Sequence, residues 1–295
     1  MGPSHRAPGG PSVPPTNTPT LRQRRLGIEL RKLREHSGLT STEAANRLGV
    51  QQARLSMIEA GRYPVSSDRV RAMAHTYACT DDSLVDALTA LTGRRVRGWW
   101  EEYREHLPPD LIDLAELEHH AVALKASLAI HIPALLQTPD HTRAMLREAV
   151  PTFRAHEIEH RLSHRIKRQS VLHRDNPPPY SALIHEAALR IQYGGPGTAH
   201  AQLSHLLALS EESHITVRVI TYDCGGFPGN GQSVNYLHGT DPHLDTVQLD
   251  THHGCDFLDA QAQLAKYRTI LDRMEAVALQ PAATRDLITT ILRSR

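Results

Sequence analysis

Cysteine is scarce: Cys79, Cys224 and Cys255 are the only three in 295 residues, and they lie far apart. That spacing argues against a disulfide framework and a cysteine-based zinc finger. No apolar run approaches the ~18 residues that a membrane span needs. Residues 1–20 are rich in Pro, Gly, Ser and Thr and lack an apolar stretch, so no secretory signal is read there. No internal repeat is visible. These absences point to a soluble, cytoplasmic protein, and the length allows roughly two domains, each with its own core.

Charge is balanced overall but not along the chain. Residues 1–62 carry ten basic groups against four acidic ones, whereas the remaining 233 carry 23 against 28. A basic head on an acidic body fits a head that binds a polyanion.

The expected fold is mainly α with an α+β C-terminal domain. Residues 1–21, with six prolines between Pro3 and Pro19, read as a disordered tail. Residues 22–93 read as five short helices. Leu26, Leu30 and Leu33 recur at helical spacing, and Ser37-Gly38 closes that helix. A second helix fits Ser41–Leu48, capped by Thr40 or Ser41, and Gly49 breaks it. A third fits Gln51–Glu59 and stops at Gly61. Val70, Met73, Ala74 and Tyr77 mark a fourth, and Leu84, Leu88 and Leu91 a fifth. Residues 94–109 read as a join whose Trp99-Trp100 pair buries against a neighbouring domain.

Residues 110–293 read as a helical segment followed by a small mixed sheet with helices. Helix is expected at about 110–130, 140–149 and 155–173, interrupted between Pro133 and Pro139. Strands are expected at Tyr180–Glu186, Ile215–Thr221, Val234–Leu237 and Thr246–Leu249. Helices are expected at Ala187–Tyr193, Thr198–Ser210, 257–275 and 283–293.

Two short helices joined by a tight glycine turn make a helix-turn-helix. Ala44 and Ala45 let the two helices cross closely, and Leu55 and Ile58 pack the second against its neighbours. Gln51, Gln52 and Arg54 are left at the outward N-terminal end. Glutamine can bond adenine bidentately, and arginine can bond guanine or hold a phosphate. The run Gly38-Leu39-Thr40-Ser41-Thr42-Glu43-Ala44-Ala45, then Gly49-Val50, then Leu55-Ser56-Met57-Ile58-Glu59-Ala60-Gly61-Arg62, resembles the XRE-type, lambda-repressor-like DNA-binding domain. The resemblance implies that Gln51, Gln52, Ala53 and Arg54 face base edges. It implies phosphate contacts from Ser41, Arg22, Arg24, Arg25 and Arg62, with Arg54 serving either role, and a structural Glu59. Ser41 stands where family members often carry glutamine.

The resemblance continues through Arg97-Gly98-Trp99-Trp100-Glu101-Glu102-Tyr103, Pro133-Ala134-Leu135-Leu136-Gln137-Thr138-Pro139, Arg165-Ile166-Lys167-Arg168-Gln169 and Glu186-Ala187-Ala188-Leu189-Arg190. These segments are similar to actinobacterial XRE-type regulators with a C-terminal domain of unknown function, commonly described as antitoxin-like. Ile132-Pro133-Ala134 and Asp140-His141 depart from that pattern. The resemblance implies a sequence-specific transcriptional regulator and not an enzyme. Such a regulator is expected to bind double-stranded DNA at a palindromic operator as a homodimer, with a C-terminal body that binds a small-molecule ligand or a small protein partner. The antitoxin reading makes neutralising that small partner the main task.

Arg165, Arg168 and Gln169 share a helix face, and Glu186 is expected to pair with one of them. A buried Arg–Glu pair is one reading, and a held anion or polar ligand is the other. His156-Glu157-Ile158-Glu159-His160 fits the zincin H-E-x-x-H pattern. With twenty histidines in the chain and no third ligand at a recognised spacing, a metal-dependent hydrolase ranks last. His252-His253-Gly254-Cys255-Asp256 reads as a loop. The Gly225–Gly231 loop lacks a Walker lysine. No cofactor, no resident metal and no catalytic residue are expected.

Overall fold

A computed structural model describes residues 19–92, 98–229, 231–251 and 253–294. Most of the expected tail, the basic run Arg94–Arg97, Asn230 and His252 lie outside the described residues. The chain divides into two compact units, Met1–Thr80 and Asp81–Arg295.

The first unit is helical: α1 (Leu21–His36), α2 (Ser41–Arg47), α3 (Gln52–Glu59) and α4 (Ser67–Thr76). Thr20 and Gln23 form a capping box at the start of α1. Thr40 and Glu43 form a second box on α2. Leu30, Ala44, Ala45, Leu55 and Met73 are among the buried core residues. α1 meets the end of α3 so closely that a Cβ on Gly27 would lie 2.4 Å from the Glu59 carbonyl oxygen. Gly27 is therefore required by that crossing.

The second unit begins with α5 (Asp82–Ala90), which was expected as the fifth helix of the head. Its Ser83 hydroxyl donates to Asp241, within the same unit. Next come α6 (Pro109–His120), β1 (Ala123–Leu128), α7 (Pro139–Arg147), α8 (Ala155–Gln169), β2 (Tyr180–His185) and α9 (Glu186–Arg190). The rest is α10 (Gly195–Leu209), β3 (Ile215–Ile220), β4 (Val234–His238), β5 (Thr246–Thr251), β6 (Gly254–Leu258), α11 (Gln261–Val277) and α12 (Pro281–Arg293). The six strands form one mixed sheet in the order β3-β2-β1-β4-β5-β6. β1, β2 and β3 run parallel, and β1/β4, β4/β5 and β5/β6 pair antiparallel.

Two strands differ from the sequence reading. β1 falls where helix was expected, and β6 falls where a loop was expected. Ala123-Leu124-Lys125-Ala126 has helix-forming residues, but pairing with β2 on one side and β4 on the other overrides local preference. β6 contains Gly254 and Asp256, poor strand formers, and is held as an edge strand by β5.

Alternation along the strands separates two faces. Leu124, Ala126 and Leu128 join a core that includes Leu114 of α6, Leu206 of α10 and Ile288 of α12. Val234, Tyr236 and Val247 face the other way, onto Leu264, Leu271 and Met274 of α11. The Trp99-Trp100 pair does not need a neighbouring domain. Trp100 packs with Tyr103, Leu107, Ile112 and Ala115 of its own unit, and Trp99 lies against that cluster.

Candidate functional site

The turn between α2 and α3 is made by Gly49, whose φ of +64° suits glycine. The Gly49 and Val50 amides donate back to Asn46 and Ala45, closing the end of α2. α3 then starts at Gln52, with Gln51 as its N-cap residue. Arg34 of α1 clamps the far end. Its Nε and Nη2 donate to both Glu59 oxygens at 2.7 and 3.0 Å, and its Nη1 donates to the Leu39 carbonyl at 2.9 Å. One guanidinium thus ties α1, the turn before α2 and α3, and the side chains of the ion pair are nearly buried. Glu59 is structural, paired with an arginine.

Gln51, Gln52, Ala53 and Arg54 are all exposed at the start of α3. Gln52 is braced: its amide nitrogen lies 3.2 Å from the Ser41 hydroxyl and 3.1 Å from that of Ser56. Arg54 stacks over the Tyr63 ring at 4.7 Å. Sequence reasoning did not single out Tyr63 or Met57, which are 40 % and 41 % exposed beside these groups. Met57 lies on the outer side of α3, and Tyr63 lies beyond its end, where Arg54 covers its ring.

The arginines expected at phosphates separate. Arg62 is exposed and enters no ion pair with another described residue. Ser41 is half-buried and Arg22 is half-buried. The Arg24 guanidinium donates to the Pro19 carbonyl. Arg25 does not fit the expectation: it is 5 % exposed and lies 3.4 Å from the buried Glu29 on the same helix, so its charge is turned inward.

In the second unit, the sheet face formed by β1, β4 and β5 carries a cavity of about 110 Å³. Its lining includes Arg165 and Arg168 of α8 with Gln137, Asn235, Gln248 and Asp250. Arg168 is spent on structure: its Nε and Nη2 donate to the two oxygens of Glu118, each at 2.7 Å, and both residues are buried. Burial alone would lower the Arg168 pKa, and Glu118 more than reverses that. Arg165 donates only from Nη1, to Gln137 Oε1 at 2.8 Å, and forms no ion pair among the described residues. Burial first, then the neighbouring Arg168, pushes the Arg165 pKa down to about 10.

The Pro133–Pro139 segment is pinned from two sides. Gln169 donates to the Ala134 and Gln137 carbonyls. Gln202 of α10 donates to the Leu136 carbonyl and accepts from the Thr138 amide. Segments far apart in sequence meet here to form one rigid wall of the cavity.

Residues 25–88 match a helix-turn-helix domain family, and residues 111–290 match a family described as a domain of unknown function, DUF5753. The second match covers more than half of the chain. The chain belongs to the DUF5753 family. No curated protein and no solved structure matches it. The helix-turn-helix match runs eight residues past Thr80 into α5.

Within the DUF5753 domain, the expected partner of the arginine pair is corrected. Glu186 does not reach Arg165, Arg168 or Gln169; it accepts from Arg190 and from the Tyr222 amide. The buried Arg–Glu pair exists, but Glu118 supplies it, from a helix whose facing was not legible before the sheet was known. The H-E-x-x-H segment lies on α8. His160 stacks on His106 at 4.2 Å, Glu157 accepts from the Arg154 amide, and His156 is exposed. Among the described residues, the one group of three possible ligands within 4.8 Å is Asp81, Asp241 and His243. Asp81 caps α5, and Asp241 accepts from Ser83 and His243. The Cys255 thiol is pushed up to about 12, by burial first and then by Asp250.

Proposed function

We propose that this protein is a sequence-specific, DNA-binding transcriptional regulator of the XRE type, similar to actinobacterial members, and not an enzyme. The observation that carries this is the exposed start of α3. A glycine turn and the Arg34–Glu59 clamp fix that helix while leaving Gln51, Gln52, Ala53 and Arg54 open to solvent. A rigid helix with amide and guanidinium groups at its outward N-terminal end suits the major groove. Gln52 exchanges a serine hydroxyl for a base edge on docking, and Arg62 meets a phosphate.

Two such heads on a homodimer would fit a palindromic operator, with half-sites about one helical turn apart. The DUF5753 domain holds the dimer and senses a ligand, which shifts the population of DNA-competent heads. The cavity with an unneutralised arginine favours a small ligand over a protein partner.

Selection of genomic fragments at physiological salt supplies the operator. Replacing Gln51 and Gln52 with Ala is expected to weaken operator binding by about 30-fold or more, since each bidentate base contact is worth ~1–3 kcal/mol. Binding to scrambled duplex should stay within a few-fold. Equal losses on both duplexes would remove the base-reading role.

A further inference from the structure

The cavity of the DUF5753 domain contains two opposite charges that do not close on each other. Arg165 has one hydrogen bond, to an amide oxygen, and no ion pair among the described residues. Its fork has donors left for a second, planar acceptor such as a carboxylate. Asp250, near the end of β5, lines the same cavity from its exposed rim. One Asp250 oxygen accepts from Gln248 Nε2 at 2.8 Å, and Asp250 also has no ion pair among the described residues.

The other polar groups of the lining have partners within the protein, His131 among them, whose Nδ1 lies 3.2 Å from the Tyr193 hydroxyl. Asn235 donates to Gln248, and Gln137 donates to the Ile132 carbonyl while accepting from Thr142 and Arg165. Arg168 and Glu118 neutralise each other. What remains to be matched is one positive charge and one negative charge. A simple anion would meet Arg165 but face Asp250, and a simple cation would meet the reverse conflict. A molecule carrying both charges meets neither.

Size and walls narrow the class. A cavity of about 110 Å³ is far smaller than the roughly 300–1,000 Å³ of drug-sized sites. Leu111, Leu128, Ile132 and Met145 supply apolar wall for a few methylene or methyl groups. Burial and the neighbouring Arg168 outweigh the opposing pull of Asp250 and Glu118 on the Arg165 pKa, and a carboxylate bound on the guanidinium would act against them.

We propose that this cavity binds a small zwitterion of the amino-acid class, its carboxylate on Arg165 and its ammonium toward Asp250. The binding stands on the cavity alone. Only its effect on DNA rests on the regulator reading above.

The test uses the full chain. Thermal unfolding and calorimetry are run with glycine, L-alanine, L-serine and β-alanine, and with propionate and ethylamine as single-charge controls. At least one zwitterion is expected to raise Tm in a concentration-dependent way, with affinity at least tenfold above either control. Arg165→Met should abolish the shift. Asp250→Asn alters an exposed side chain, so folding is secure, and it should bring the zwitterion down to the level of propionate. The proposal is overturned if no zwitterion shifts Tm, if propionate matches the best zwitterion on the unaltered chain, or if Asp250→Asn leaves the preference intact. Operator affinity measured with and without the best zwitterion is a separate reading. Binding without any change on DNA would leave the site standing and sink the sensor role.

Discussion

The two units place their polar groups in opposite ways. In the first, the groups with most chemistry, Gln51, Gln52, Arg54 and Arg62, are exposed, and one clamp from Arg34 to Glu59 holds the helix that carries them. In the second, arginines and amides turn inward onto a sheet face, where Arg168 meets Glu118 and Arg165 lines a cavity. An exposed polar surface needs little beyond a rigid backbone. An inward polar cluster must be satisfied partner by partner, because each unmet group in a low-dielectric interior costs free energy. The first arrangement suits a polymer read from outside, and the second suits a small molecule that must be enclosed.

The largest expected effect follows from that contrast. Glu118→Ala leaves Arg168 buried with its charge uncompensated, a loss of about 3–5 kcal/mol in the second unit. Replacing both partners, with Glu118→Leu and Arg168→Met, should recover much of it. Hydrogen exchange on the intact chain reads each unit separately. Protection should fall in the sheet and persist in α1–α4. A Glu118→Ala chain as stable as the parent would show that the pair is solvated and that the inward cluster is not under the tension described.

Acid should also separate the units. His141 and His164 are each 2 % exposed, and burial pushes their pKa values down to about 4 and about 3. His141 sits against the Tyr193 ring, and His164 sits among Trp99, Tyr103 and the arginines of α8. In the unfolded chain both take a proton near pH 6.5. The stability they permit is therefore complete above about pH 6.5 and declines as pH falls below it. The loss ends near pH 4 for His141 and near pH 3 for His164. The slope is about 1.4 kcal/mol per pH unit for each histidine. Among the described residues the first unit buries none, since His36 and His75 are exposed. Exchange protection between pH 6.5 and 4 should fall in the second unit first, and His164→Phe should remove one share of the slope. A slope unchanged by that substitution would mean that His164 is protonated in the folded state.

What was legible in the sequence follows the same division. The head is written in local signals: a cap at Thr40, glycine stops at Gly38, Gly49 and Gly61, and leucines at helical spacing. Those signals act within a few residues, so reading along the chain recovers them. The exposure of Gln51, Gln52, Ala53 and Arg54 follows from their place at the outward start of α3, ahead of the first inward residue, Leu55. Arg25 was misplaced because a charged side chain was taken to face water, and the pairing with Glu29 only emerges once the helix is packed. In the second unit the shared face of Arg165, Arg168 and Gln169 was readable from spacing. Their partners were not, because Glu118 and Gln137 lie on a helix and a segment whose positions depend on β1. That strand exists through pairing with β2 and β4, up to 115 residues away in sequence (Ala123 with His238), which no local preference encodes.

The smallest effect probes the head alone. Gly49 has a φ of +64°, and a Cβ built there meets nothing within 4 Å. Gly49→Ala therefore tests backbone conformation without a packing change. An L-residue in the left-handed region costs about 1 kcal/mol. The turn is short and its hydrogen bonds from Gly49 and Val50 remain available, so it should keep its shape and pay only that strain. Exchange protection in α2 and α3 should fall several-fold at 25 °C, operator preference should persist, and the sheet should be untouched. If operator preference collapsed while protection held, the turn would be setting the aim of α3 and not merely joining it to α2. The rigid presentation argued for the head would then depend on Gly49 more than on the Arg34–Glu59 clamp.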